Sequence, residues 1–384
     1  GTAGNPYLIE GYDIDGEGNT SCIYVGNVTK HFVVRDCHLH DSARNVTTTD
    51  DTGALEILDT SNGVLTNNTL YGNEDFNIFV TGSTSILVQG NDMTHNDSRA
   101  SSVQVTSSDG CTIEGNHINN SFIRLYASDS NLVSGNVVRE GSIAVHSSSA
   151  NTVSNNTVTT RSTAIFVYYS HGNRVEHNDV TSSHHAIELG RAIGAVVASN
   201  EITVLDQRSN GHAVVLSWAE GCTLRDNNMH NAGIVLEGSS IEHFASHNIG
   251  SSNSLDGKKV VSVKNRTGVK VTGDYGQVLV LNCEFFNVSR CRFEGGADPV
   301  VVCWSRDGVV YGNSFENNSD YAVVVTRSER VTVEGNRMVD GYSFLLLEDS
   351  DYNTVTENRV YNPDRSMVYI ARSDDTLVTR NYVV

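Results

Sequence analysis

The sequence predicts an all-β solenoid, a single-stranded right-handed parallel β-helix of about 15 coils, and three observations carry that expectation. A pattern of apolar-x-apolar, an apolar residue eight positions later, then x-x-Asn-x-apolar recurs fifteen times. No copy holds the ten or more residues of 3.6-residue period that a helix needs. Nearly every change in repeat length falls at one corner, between the Asn position and the next strand.

Each copy opens on the period-two alternation of a short strand with one buried face. The openings are Ile23, Leu55, Ile78, Val103, Ile123, Ile143, Ile165, Ile187, Val214, Ile234, Val278, Val300, Val323, Leu345 and Val368. One such strand cannot bury itself, but copies stacked at roughly 4.8 Å build a continuous core. The Asn position is Asn in twelve copies, with Cys37, His247 and Cys291 in the other three. A buried stack of amides can satisfy its own donors and acceptors, and Asn also tolerates a left-handed turn. Both roles are structural. Each copy closes on an apolar residue, from Leu39 to Val383. The chain reads as one domain over residues 1–384, with an insertion at 250–277 holding four of the five lysines. The last repeat carries no cap of its own, which predicts further chain or another subunit over its strand edge.

Charge and cysteine usage narrow the function classes. Twenty-six basic against 45 acidic residues give a net charge of −19, which disfavours a nucleic-acid partner. Apolar runs such as Phe344–Leu347 are far too short to span a bilayer. Seven cysteines without a CxxC pair read as buried thiols rather than a disulfide or zinc framework. Ten Asn-x-Ser/Thr sequons accord weakly with an extracellular, cell-surface location.

Three segments carry a family resemblance: the opening GTAGNPYLIEGYDIDGEG, the VxGNxI-type repeats over nearly the whole chain, and the LDGKKVVSVKNRTGVKVTGDYGQVLVLNCEFFNVSRC stretch. The sequence resembles the NosD-like group of right-handed β-helix proteins, within the wider class of carbohydrate-binding proteins and sugar hydrolases. Lys259 stands where that family usually has Pro. The resemblance implies an exported protein of an archaeal surface type, partnered by a polysaccharide or cell-surface glycan and by other surface-layer subunits. It also raises copper-site maturation. Soft copper sites want Met, Cys and His together, yet Met93, Met229 and Met338 fall in the buried column.

Stacking aligns the outward residues of the first strand. One outward line runs Gln104, Arg124, Ala144, Phe166, Glu188, and its neighbour runs Tyr126, His146, Tyr168. A polysaccharide lyase or epimerase would draw its base or acid from Tyr126, His146 or Tyr168, its carboxylate clamp from Arg124, and its second proton carrier from Glu188. The other reading is a wet face whose side chains pair across rungs. Phe79, Phe166, Tyr168 and Trp218 are candidates for stacking on sugar rings without catalysis. His185 and His212, two residues before their strands on adjacent coils, are candidates for sharing a metal. Asp50–Asp51 and Asp374–Asp375 make calcium the expected cation if there is one, against solvated turns as the alternative. The leading expectation is scaffolding or glycan binding without catalysis.

Overall fold

A computed structural model describes residues 1–44, 51–95, 100–205 and 211–384. The repeats wind as a right-handed parallel β-solenoid of about sixteen turns with almost no helix. Contacts divide the chain into two compact units, Gly1–Ser182 with Ile187–Asn200, and Ser183–Ala186 with Glu201–Val384.

In the first unit every full turn gives one strand to each of three parallel sheets. One turn supplies Phe122–Tyr126, Leu132–Ser134 and Val137–Arg139. The next pairs with it in register, Ile123 on Ile143, Leu132 on Thr152 and Val137 on Thr157. Ile123, Leu125, Val133 and Val138 point inward with no accessible surface. Burying each such side chain contributes about 1.5–3 kcal/mol, so the sheets are held by the inner wall they share.

Polar ladders tie the turns together. The Asn116 Nδ2 donates to the Val88 carbonyl at 2.9 Å and to Oδ1 of Asn136 at 2.9 Å. Oδ1 of Asn116 accepts from the backbone N–H and Nδ2 of Asn91. The same exchange runs from Asn68 to Asn200, with Cys37 donating its N–H into the first amide. Ser83, Ser108, Ser128, Ser148 and Ser170 form a second ladder just after the first-sheet strands. Each hydroxyl accepts the previous turn's N–H and donates to the carbonyl two residues back. The sequence pattern does not announce this ladder.

The second unit corrects two expectations. His247 is not in the column of Asn227; that place belongs to Asn253, whose Oδ1 accepts from the Asn227 Nδ2 at 2.8 Å. His247 instead accepts the Cys222 N–H on Nδ1, at the start of the second sheet, and Ile249 pairs with Leu224. The short helix Glu242–Ala245 adds residues between the first and second sheets, so this copy changes length at a different corner. The span read as an insertion contributes strands of its own. Ser254–Leu255 continues the third sheet, Lys258–Lys264 pairs in parallel with Gln277–Leu281, and Lys270–Val271 pairs with Asn287–Val288. It is a further turn. The side chain of Gln277 bonds both the N–H and the C=O of Ile234, each at 2.9 Å, doing for that strand what a neighbouring backbone would do. The unit's core is larger-grained, with Phe293 stacked on Phe315 at 5.2 Å.

Candidate functional site

The outward face of the first sheet in the first unit gathers the candidate residues in two lines. Strand register sets Tyr126 beside His146 and His146 beside Tyr168, while Arg124, Ala144, Phe166 and Glu188 follow one another. The Tyr126 and His146 rings stack 5.4 Å apart at 19°, and His146 also meets Tyr169 at 5.5 Å. Arg191 closes that line, its guanidinium 5.2 Å from the Tyr169 ring centroid. In the other line Phe166 packs against Tyr168 at 5.7 Å and against Phe122 at 6.5 Å. The Tyr168 hydroxyl donates to Oε1 of Glu188.

Local sequence explains the placement. Ala127, Ser147, Tyr169 and Arg191 all take the left-handed region directly after their strands, and this turns the chain sharply. The serine ladder then fixes the carbonyls of Tyr126, His146 and Tyr168. Gly190 leaves room for the Tyr168 ring, since a Cβ there would lie 2.1 Å from Cε1. Arg124 is half-buried over the Phe122 ring at 5.7 Å, and burial lowers its guanidinium pKa against the pull of Asp51.

The face does not assemble every candidate. Arg124 and Glu188 are three rungs apart, about 14 Å at the strand spacing, so they do not meet over one sugar ring. Phe79 is buried, packed on Phe76 at 5.3 Å and against Gly53, and offers no ring face to a ligand. Trp218 lies in the second unit, exposed and 5.3 Å from His243. Phe122, Tyr169 and Arg191 join the face although strand alternation alone did not mark them. Their signal was position, Phe122 as the first residue of its strand and Tyr169 and Arg191 one residue after theirs.

The metal candidates are now placed. His185 and His212 stack at 5.3 Å and 10°, each with a buried Nδ1 that has no hydrogen-bond partner. Burial first, and neighbouring histidines second, push both imidazoles down to about 4. Lone pairs of two nearly parallel rings lie in separate planes and do not converge on one ion. Asp50 lies outside the described residues. Asp374 and Asp375 form an exposed turn in which the Asp374 N–H donates to Asp351. A cluster absent from the sequence reading joins Asp15, His40 and Asp41, with Asp13 3.4 Å from His40. The hydrogen bond to Asp41 raises the His40 pKa. In the second unit, burial and then Asp320 hold the Asp298 carboxyl well above the usual range, and its Oδ1 lacks a partner. Six of the seven cysteines are buried and none forms a disulfide, as small apolar side chains would not. Among the described residues no helix is long and apolar enough to cross a membrane.

A family profile described as periplasmic copper-binding protein (NosD) matches residues 98–204 and 248–384, and one described as right handed beta helix region matches residues 4–142. No curated protein matches the chain by sequence. Among solved structures, a mutant tailspike protein of E. coli bacteriophage HK620 in complex with a pentasaccharide is 12% identical, over 98% of this chain and 72% of that one, with a TM-score of 0.48. The A-module of the Azotobacter vinelandii mannuronan C-5 epimerase AlgE6 is 12% identical, over 93% and 91%, at 0.36. PfbA, a surface adhesin of Streptococcus pneumoniae, is 10% identical, over 91% and 81%, at 0.34. At such identities no activity or ligand carries across to this chain.

Proposed function

This chain belongs to the NosD family of right-handed β-helix proteins, and from that premise and the first-sheet face we propose that it is an exported protein that holds a cell-surface glycan without turning it over. The observation that supports this most is the ring cluster on that face, Tyr126, His146 and Tyr169 on successive turns with Phe122, Phe166 and Tyr168 packed beside them. Tyr126, His146 and Tyr169, on three successive turns, suit the apolar faces of successive sugars, and the hydroxyl and carboxylate of Tyr168 and Glu188 suit sugar hydroxyls. Surface-layer subunits are the further partners we propose.

The copper named in the family's description finds no matching donor set among the described residues. Met93, Met229 and Met338 are fully buried, Met367 packs on the core, and six thiols are buried with them. The stacked His185 and His212 rings do not converge. The Asp13–Asp15–His40–Asp41 cluster is mostly oxygen, a set for hard cations rather than soft ones.

Retention on immobilised cell-surface polysaccharide tests the reading. Phe166→Ala with Tyr168→Ala should weaken retention on the order of tenfold or more, as loss of stacked rings does. Unchanged retention would sink it. A second reading, lyase or epimerase, draws on the Tyr168–Glu188 hydrogen bond. Unsaturated or epimerised uronate products that vanish in Tyr168→Phe would favour it instead.

A further inference from the structure

On the third sheet of the second unit, one outward column reads Arg292, Ser314, Arg337, Arg359, Tyr382 along five paired strands. The outward column beside it reads Glu294, Glu316, Val339, Tyr361. Where both charges are present they pair, Arg292 lying 3.9 Å from Glu294 and 3.6 Å from Glu316. On the next two turns, Val339 and Tyr361 replace the carboxylates. Arg337 and Arg359 then have no acidic partner among the described residues, and the Arg337 guanidinium rests 5.2 Å from the Tyr361 centroid. Elsewhere in this unit Arg306, Arg330 and Arg372 pair with Glu284, Asp307 and Asp349.

Two guanidinium groups one rung apart repel each other, and on a chain with 45 acidic residues against 26 basic ones a pairing partner would be easy to supply. They line a surface groove of about 850 Å³ together with Arg380, Glu357, Tyr361 and Tyr382. Arg380 occupies the one acid there, at 3.6 Å from Glu357. Tyr361 and Tyr382 meet edge to face at 6.1 Å. Gly335, at φ 61°, takes the turn position that Glu357 and Arg380 hold on later turns, which keeps that end of the groove open.

The chemistry selects an occupant. Guanidinium forks take carboxylates bidentately, and tyrosine rings stack on the apolar faces of sugars. Rungs about 4.8 Å apart repeat on the scale of one sugar unit in an extended polymer. A dense phosphate backbone suits the groove less, because Glu357 stands in it and the chain carries a charge of −19. We propose that this groove binds a run of uronic-acid residues in a polysaccharide, Arg337 and Arg359 each taking one carboxylate while Tyr361 and Tyr382 hold the rings. The site lies on another unit and another sheet from Phe166 and Tyr168, so it stands or falls independently of the first-sheet face.

Calorimetric titration of the full chain with an oligogalacturonate, with the same oligomer methyl-esterified, and with a polyphosphate of matched charge provides the test. The free acid should bind, and esterification should weaken binding on the order of tenfold or more. Arg337→Gln with Arg359→Gln should weaken the free acid by about tenfold per guanidinium, with the thermal midpoint unchanged. Arg306→Gln, at an arginine outside both sites, should leave this titration as it was. No binding, equal binding of the ester, full binding by the arginine double variant, or tighter binding of polyphosphate would each overturn the proposal.

Discussion

Gly190 shows how much of the first-sheet face depends on one missing atom. The Tyr168 ring crosses it, and a methyl group there would sit 2.1 and 2.2 Å from Cε1 and Cδ1. Gly190→Ala should therefore expel the ring, separate the hydroxyl from Glu188 and cost about 1–3 kcal/mol in overpacking. Denaturant unfolding and glycan retention together check this. Loss of stability without loss of retention would show that Tyr168 does not hold the ligand. Residues of this face were legible where register alone decides, as for Arg124, Tyr126, His146, Phe166 and Glu188. Phe79 was not. Its burial comes from Phe76 on its own strand and from Gly53 one turn earlier, contacts that no alternation pattern encodes.

At the scale of the repeating element, the amide ladder is the feature that a single substitution should damage most. In the first unit Asn136 accepts the Asn116 N–H and Nδ2 and donates to the Ile113 carbonyl and to Asn156. Asn136→Ala leaves those groups buried and unpaired, at a cost of roughly 2–5 kcal/mol. Asn136→Asp should be at least as harmful, because a carboxylate supplies no donor to Ile113 or Asn156. Equilibrium unfolding of both variants decides the matter, and a near-neutral alanine variant would refute the ladder's role. The ladder was readable because Asn recurs at fixed spacing. His247 fell in the count because eleven residues separate it from Leu236, as in other copies. The helix Glu242–Ala245 and the tight turn to Asn253 shift the true column by six positions, and only backbone pairing reveals that. The serine ladder stayed hidden for another reason. Ser is common throughout this chain, so its recurrence carried little contrast.

For the molecule as a whole, acid should act through the second unit. His185, His212 and His247 lie there, each pushed down to about 4 chiefly by burial. The unfolded chain binds protons at these rings from an ordinary pKa near 6.5 downward, while the folded chain resists until about 4. Stability is thus complete above roughly pH 6.5 and is lost as pH falls toward 4, by up to about 3 kcal/mol for a well-buried ring such as His212 or His247. In the first unit His40 works oppositely, since Asp41 raises its pKa and protonation favours the folded state until pH rises past that value. Asp298 also opposes the trend inside the second unit. Its raised carboxyl pKa contributes stability at low pH that disappears as pH rises through the folded value. Asp298→Asn should therefore stabilise at pH 7 and change little near pH 4. Hydrogen exchange read peptide by peptide from pH 7 to 5 checks the balance. Protection around residues 211–247 should fall before protection around Ile123–Val158, and His212→Gln should flatten part of that loss. A uniform decline across both stretches would mean that the buried imidazoles do not govern the acid response.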